Sequence, residues 1–381
     1  MKRLLGMSLV AAVVVVGCAR KGSRGEDGPN PLSKTAVATS QPATEPAGRE
    51  DSLSDVVQLT SGFDRAGEAY FSADAQWIIF QASPHGEPHY QMYVARLRRQ
   101  GDRITGLDQP VRISPPGSRN TCGFFSPDGR TVIFASTAGK EDPNEPAAGY
   151  QRQGGNYRWD FPNGMEIYRA DDWQAAVASA PAGAVDLAKN AITHNDAYDA
   201  EGAYSPDGKW IVFGSRRDGD SELYVMRPDG SQPVRLTRAP GYDGGPFFSP
   251  EGKRIVYRCD RKGNDLLQIF TADLVFDADG NVTGTANEKQ LTNDANVNWG
   301  PYWHPDGRHI IYATSAHGHT NYELYWMNAD GLGKTRVTHS PGFDGLPVFS
   351  GDGKYLMWSS KRTKDNTTQV FAARFRPPAA R

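Results

Sequence analysis

The sequence predicts an all-β fold, a six-bladed β-propeller with four-stranded blades whose last blade is closed by the N-terminal strand. Three observations carry this prediction. An aromatic residue followed by a Ser-Pro-Asp-Gly type turn recurs six times, the intervals between copies fit one blade, and incomplete strand sets at the two ends of the repeats complement each other.

In chain order, the first element is an export signal. Lys2 and Arg3 precede an apolar run from Leu4 to Val16, followed by Gly17 and Cys18. A membrane-spanning helix needs about 20 apolar residues, so residues 1–17 read as a cleavable segment. Val15-Val16-Gly17-Cys18 resembles a lipoprotein lipobox, which makes Cys18 the expected lipidation site. Residues 18–55 are rich in Gly, Pro, Ser, Thr and charge and too poor in large apolar residues to bury a core, which predicts a flexible tether.

The propeller is expected over residues 56–376. Phe125-Ser126-Pro127-Asp128-Gly129 leads into Thr131-Val132-Ile133-Phe134, and Tyr204-Ser205-Pro206-Asp207-Gly208 into Trp210-Ile211-Val212-Phe213. Pro presets φ at the first turn position, Asp bonds nearby backbone, and Gly supplies the positive φ, so each copy folds the chain into a hairpin. The acidic turn residues Asp74, Asp128, Asp207, Glu251, Asp306 and Asp352 are 54, 79, 44, 55 and 46 residues apart, against about 40–50 for a blade. Third strands follow, as in Glu222-Leu223-Tyr224-Val225-Met226, and fourth strands end in an apolar-Thr or apolar-Ser pair such as Leu236-Thr237 or Ile113-Ser114.

The sixth unit runs out after its third strand near Phe375, while Val56-Val57-Gln58-Leu59-Thr60 is a fourth-strand motif with no unit of its own. That strand is expected to complete the last blade, so no sheet edge is left open at the seam. The long 79-residue interval holds one strand set, which predicts a single blade with a loop inserted over about 140–163. Residues 377–381 form a C-terminal tail.

Lys plus Arg number 42 and Asp plus Glu 44, a net charge of -2, which gives no reason to expect a nucleic-acid partner. Cys122 and Cys259 fall in non-adjacent units and read as small buried residues. No Gly-x-Ser-x-Gly, Walker, dinucleotide-binding or zinc-spacing pattern is present, so no catalytic residue, metal or cofactor is assigned.

The repeat running from Tyr204-Ser205-Pro206-Asp207-Gly208 through Ser215-Arg216-Arg217-Asp218-Gly219 to Leu236-Thr237 resembles the PD40, or WD40-like, repeat of the TolB family. The resemblance implies a non-enzymatic binding scaffold of the cell envelope, a monomer whose partner is a protein such as the peptidoglycan-associated lipoprotein Pal or another peptidoglycan-associated component. TolB proteins are soluble and carry an α/β domain before the propeller; here a tether and a lipid anchor are expected instead. Ala19 after Cys18 favours the periplasmic face of the outer membrane. Alternative readings are a metal-dependent carbohydrate-active enzyme resembling oligogalacturonate lyases and an extracellular ligand sensor.

Six residues before each turn Ser (or His) stand Ala66, Asn120, Asp199, Asp243, Asn298 and Asp344. These are expected at the loop entering each innermost strand, around one mouth of the channel, with Glu201, Asp64 and Glu68 adding negative charge. Their oxygens cap their own loops, meet cationic groups of a partner, or ring a hard cation such as calcium. Arg217, Arg261 and Arg362, with His85 and His317, recur after the second strands, where an Arg is expected to bridge a neighbouring blade. The insertion carries Tyr150, Arg152, Tyr157, Arg158 and Trp159, residue types that dominate interface hot spots. It reads either as a partner contact or as a loop packed over a blade.

Overall fold

The computed structural model describes residues 48–138, 149–153, 156–180 and 183–379, with backbone only for residues 149–160. Cys18, the signal segment and the tether up to residue 47 lie outside the described residues.

Six antiparallel sheets follow one another along the chain. After β1 (Leu53–Gln58), blade one comprises β2 (Phe63–Phe71), β3 (Trp77–Pro84), β4 (Gln91–Gln100), β5 (Arg103–Leu107) and β6 (Val111–Arg112). Blade two has β7 (Asn120–Phe125), β8 (Thr131–Ser136), the hairpin β9 (Gly149–Gln153) and β10 (Asn156–Asp160), then β11 (Glu166–Asp171) and helix α1 (Trp173–Ala178). Blade three is β12 (Asp199–Tyr204), β13 (Ile211–Ser215), β14 (Glu222–Met226) and β15 (Val234–Arg235). Blade four is β16 (Asp243–Phe248), β17 (Arg254–Cys259), β18 (Gln268–Phe276) and β19 (Val282–Gln290). Blade five is β20 (Asn298–Trp303), β21 (His309–Thr314), β22 (Glu323–Asn328) and β23 (Thr335–Arg336). Blade six is β24 (Asp344–Phe349), β25 (Tyr355–Ser360) and β26 (Gln369–Phe375), with β1 as its fourth strand.

Each inner strand packs on the next, β2 on β7, β7 on β12, β12 on β16, β16 on β20, β20 on β24, and β24 back on β2. The seam is closed as the leftover strand motif predicts: Val57 pairs with Ala372 and Gln58 with Phe371. Blade two departs from four strands. A three-stranded sheet stands where four were expected, and its outer edge is covered by a single bridge between Tyr168 and Ala191. Helix α1 interrupts the run to that edge, and its fully buried Trp173 packs on Trp77 and Phe125 at 5.2 and 5.3 Å between ring centres. The inserted segment contains the hairpin of β9 and β10, with Tyr157 opposite Arg152 and Trp159 opposite Tyr150.

Two repeated devices explain why the same residue types recur. In the turns, Ser72, Ser126, Ser205 and Ser350 donate to the carboxylates of Asp74, Asp128, Asp207 and Asp352 at 2.5–2.7 Å. Between third and fourth strands, the hydroxyls of Thr60, Ser114, Thr193, Thr237, Thr292 and Thr338 accept the amides of Val370, Met92, Ile167, Leu223, Ile269 and Leu324 at 2.8–3.0 Å. Four of those hydroxyls donate in turn to the buried Gln or Glu that begins the third strand, at 2.6–2.8 Å: Gln369, Gln91, Glu222 and Glu323. A buried polar group left without such a partner costs about 1–3 kcal/mol, so these pairs fix where each fourth strand ends.

Candidate functional site: the channel and its mouth

Every inner strand carries a β-bulge whose residue has positive φ: Glu68 (46°), Cys122 (54°), Glu201 (61°), Gly245 (57°), Gly300 (55°) and Leu346 (53°). A non-glycine residue there costs about 1–2 kcal/mol, and bulges re-aim side chains. They turn Glu68, Cys122, Glu201 and Leu346 into one cavity on the axis, joined by Arg258 from β17. A Cβ on Gly245 would stand 1.9 Å from the Arg258 guanidinium, so glycine there lets the arginine cross to the axis.

Glu201 is the centre of this cavity. Its carboxylate pairs with Arg258 and accepts the Tyr242 hydroxyl at 3.0 Å and the Gly245 amide at 2.8 Å, tying blade three to blade four. The carboxylate neighbour holds Arg258 charged despite its burial. Glu68 keeps part of its surface on the cavity but is enclosed by protein, and burial raises its pKa. The Tyr70 and Thr121 hydroxyls reach it only at 3.4 and 3.5 Å. Cys122 beside it is held as a thiol by burial. The cavity gives the centre of a water-sized sphere about 20 Å³, room for one or two waters.

Next along the inner strands, aromatic rings meet across the axis. Tyr70 lies 5.1 Å from Phe124 and 5.7 Å from Phe247, and Phe247 lies 4.9 Å from Tyr302. Blades one and four stand on opposite sides of the ring, so the Tyr70–Phe247 contact spans the channel. The sequence reading missed this contact and Arg258; the available signal was the repeat position two before each turn Ser or His, occupied by Tyr70, Phe124, Ala203, Phe247, Tyr302 and Val348.

At the mouth, the predicted ring positions begin the inner strands, except that Ala66 lies within β2, and all six are buried. Their polar groups turn into the blades. Asp199 accepts Arg217 at 3.0 Å, and Asp344 accepts Arg362 at 2.8 Å and Trp358 at 3.0 Å. Asn120 donates to the carbonyls of Tyr90 and Ser118 at 3.0 and 2.9 Å, and Asn298 to Gln268 and Asp294 at 3.1 and 3.0 Å. The carboxylate oxygens of Asp243 have no hydrogen-bond partner among the described residues, and burial pushes its pKa up to about 7. Its counterpart Arg261 pairs with Glu288 instead and turns its Nε toward Cys259, which stands where the other blades have Ser215 and Ser360. Arg217 and Arg362 therefore meet the ring carboxylates of their own blades, because antiparallel pairing sets the end of each second strand beside the start of the first, and Arg362 also reaches Glu50 at the cleft toward blade five.

At the rim, Asp64 pairs with His85 at 2.7 Å, which lowers the Asp64 pKa and raises that of His85. The nitrogen Nε2 of His317 lies 2.8 Å from the Tyr325 hydroxyl. The insertion returns to the mouth at Phe161, set against Tyr198 and Tyr242 at 4.9 and 5.4 Å with Arg216 over its ring at 5.1 Å. The side chains of Tyr150, Arg152, Tyr157, Arg158 and Trp159 lie outside the described residues. Cys122 and Cys259 are buried and unpaired. Among the described residues no group of three or more His, Cys, Asp or Glu is placed to hold a metal.

The closed ring of six sheets with repeated turns defines an all-β six-bladed propeller. Residues 185–287 match the family model PD40, the TolB beta propeller domain, and the fold is similar to that of solved TolB propellers. A solved structure described as TolB from Agrobacterium tumefaciens is 18% identical, with a TM-score of 0.51 over 82% of this chain and 91% of that one. TolB from Acinetobacter baumannii is also 18% identical, with a TM-score of 0.50 over 83% of this chain and 65% of its own, so this chain spans just under two thirds of it. A manganese-bound oligogalacturonate lyase is 15% identical with a TM-score of 0.47, over 84% of this chain and 93% of that one. An uncharacterized protein of Agrobacterium fabrum is 41% identical over 46 residues, 12% of this chain and 16% of that protein.

Proposed function

We propose that this protein is a non-enzymatic binding scaffold of the cell envelope, tethered by lipid at Cys18, that docks a protein partner on the mouth where the inner strands begin. The observation that carries this reading is the aromatic contact across the axis: Tyr70, Phe124, Phe247 and Tyr302 meet beyond a cavity sized for water. A partner then meets a rigid face instead of threading a pore, and pre-organised faces bind with little ordering cost. With Arg258 paired to Glu201, Glu68 is left as a buried carboxyl group whose charge a basic group on the partner would stabilise. The resemblance to TolB supplies the partner class, a peptidoglycan-associated lipoprotein.

Affinity capture of that lipoprotein from solubilised envelopes tests the proposal, comparing the intact protein with one lacking residues 140–160. Recovery by the intact form supports the reading, and its loss on deletion gives the insertion a share of the contact. Failure to recover it, together with stoichiometric manganese and lyase activity on pectin fragments, replaces the scaffold with the enzyme reading.

A further inference from the structure

Two of the six clefts between blades carry the same pair of donors, and one of them shows what those donors hold. Between blades five and six the carboxylate of Glu50 lies on Arg362. Its Oε2 accepts Nη1 at 3.0 Å, and its Oε1 accepts Nη2 at 3.1 Å and the His339 amide at 2.9 Å. The guanidinium is held from behind by Ser360 on Nε at 2.9 Å and Asp344 on Nη2 at 2.8 Å, and lies 5.0 Å over Trp358.

The cleft between blades two and three repeats these parts. Arg217 is held by Ser215 on Nε at 2.7 Å and by Asp199 on Nη2 at 3.0 Å, and lies 4.8 Å over Tyr224. His194 follows Ile192-Thr193 as His339 follows Val337-Thr338, and both threonines hold the same third-strand amide. Here Nη1 of Arg217 and the His194 amide have no hydrogen-bond partner among the described residues, and both residues line a pocket of about 150 Å³ with Asn195 and Met226.

The geometry points to a carboxylate-binding site in this cleft, with the Arg217 guanidinium and the His194 amide as its donors and Glu50 on Arg362 as its internal precedent. Arg217 is shared between Asp199 and the incoming carboxylate, as Arg362 is shared between Asp344 and Glu50. The other clefts lack the pair. Pro115 stands at the histidine position between blades one and two and has no amide hydrogen, and Arg261 is taken by Glu288 in blade four. His85 and His317 stand in the loops of blades one and five that carry Arg217 and Arg362 in blades three and six.

The ligand class is a carboxylate presented by a small chain, either an acidic side chain of a peptide or a sugar acid. Two or three charge-assisted bonds to a free carboxylate correspond to a Kd of about 1 mM. The test is a ¹⁵N NMR titration of the full-length protein with N-acetyl-L-glutamate, D-galacturonate and the neutral N-acetylglutamine amide. Saturable shifts of the His194 amide and the Arg217 Nε–H with either acid, and none with the neutral probe, are expected, and the acid that binds tighter assigns the source. His194→Pro, a residue the fold already takes at Pro115, should weaken binding at least about fivefold, roughly the loss of one such bond. Glu50→Ala should open a second site read at the His339 amide. Absence of saturable shifts with both acids, equal shifts with the neutral probe, unchanged binding in a folded His194→Pro, or no second site in Glu50→Ala each overturns the assignment. Should His194→Pro not fold, the neutral-probe comparison decides.

Discussion

Leu59 donates its amide to the carbonyl of Val370 at 2.8 Å, and the hydroxyl of Thr60 accepts the Val370 amide at the same distance. More than three hundred residues separate the partners, so this one contact ties the beginning of the propeller to its end. The axis, the mouth and the clefts all depend on that seam.

Deleting residues 56–60 opens the edge of β26. Loss of about 3 kcal/mol or more is expected, a fall in Tm of roughly 4 °C or more for a propeller of this size. Thr60→Ala, which leaves the Val370 amide buried and unbonded, should cost about 1–3 kcal/mol. Calorimetric melting of both variants provides the check, and an unchanged Tm for the deletion contradicts the closure.

Asp243 gives the propeller a pH-dependent term whose sign follows from its environment. Its folded pKa of about 7 stands above the ordinary value of 3.8, so the native state holds the proton more tightly than the unfolded chain. Stability from this group is therefore full at low pH, falls as pH rises from about 4 to 7, and levels off above that. Asp243→Asn should be more stable than the parent at pH 8 by up to roughly 4 kcal/mol, with little difference near pH 4. Urea unfolding across that range measures it; a difference that does not depend on pH sinks the assignment.

Arg258→Met removes the charge facing Glu201 while keeping apolar bulk. A buried ion pair broken on one side costs about 3–5 kcal/mol. Adding Glu201→Gln should restore much of the loss, and a double-mutant cycle in denaturant reads the coupling.

Phe247→Ala removes the ring shared by Tyr70, Phe124 and Tyr302. Phe247 is half-buried, so about 1–3 kcal/mol of destabilisation is expected, together with an apolar void on the axis. Such voids bind xenon, so ¹²⁹Xe exchange seen in the variant and not in the parent reports that void.

The blade count and the closing strand were legible because each rests on local chemistry: Ser-Pro-Asp-Gly dictates its own turn, and an apolar-Thr pair without a unit needs a strand to join. Helix α1 was not legible, since its only signal is the short run Trp173-Gln174-Ala175-Ala176-Val177-Ala178, far below the length at which helical periodicity speaks. The mouth was half legible. Its carboxylates and arginines were both singled out, but that Asp199 meets Arg217 and Asp344 meets Arg362 depends on a register that places residues 18 apart side by side. The same spacing would pair Asp243 with Arg261, where Glu288 on β19 intervenes. The bulges were hidden because glycine, glutamate, cysteine and leucine share that position without a common sequence signal.

Hydrogen exchange at the Leu59 amide tests the closed ring most directly. The seam predicts protection equal to that of Leu223 and Leu324 in the interior of blades three and five, with exchange only through global unfolding. Exchange at Leu59 by local fraying, orders of magnitude faster than those two amides, would show an open ring and remove the basis for the mouth.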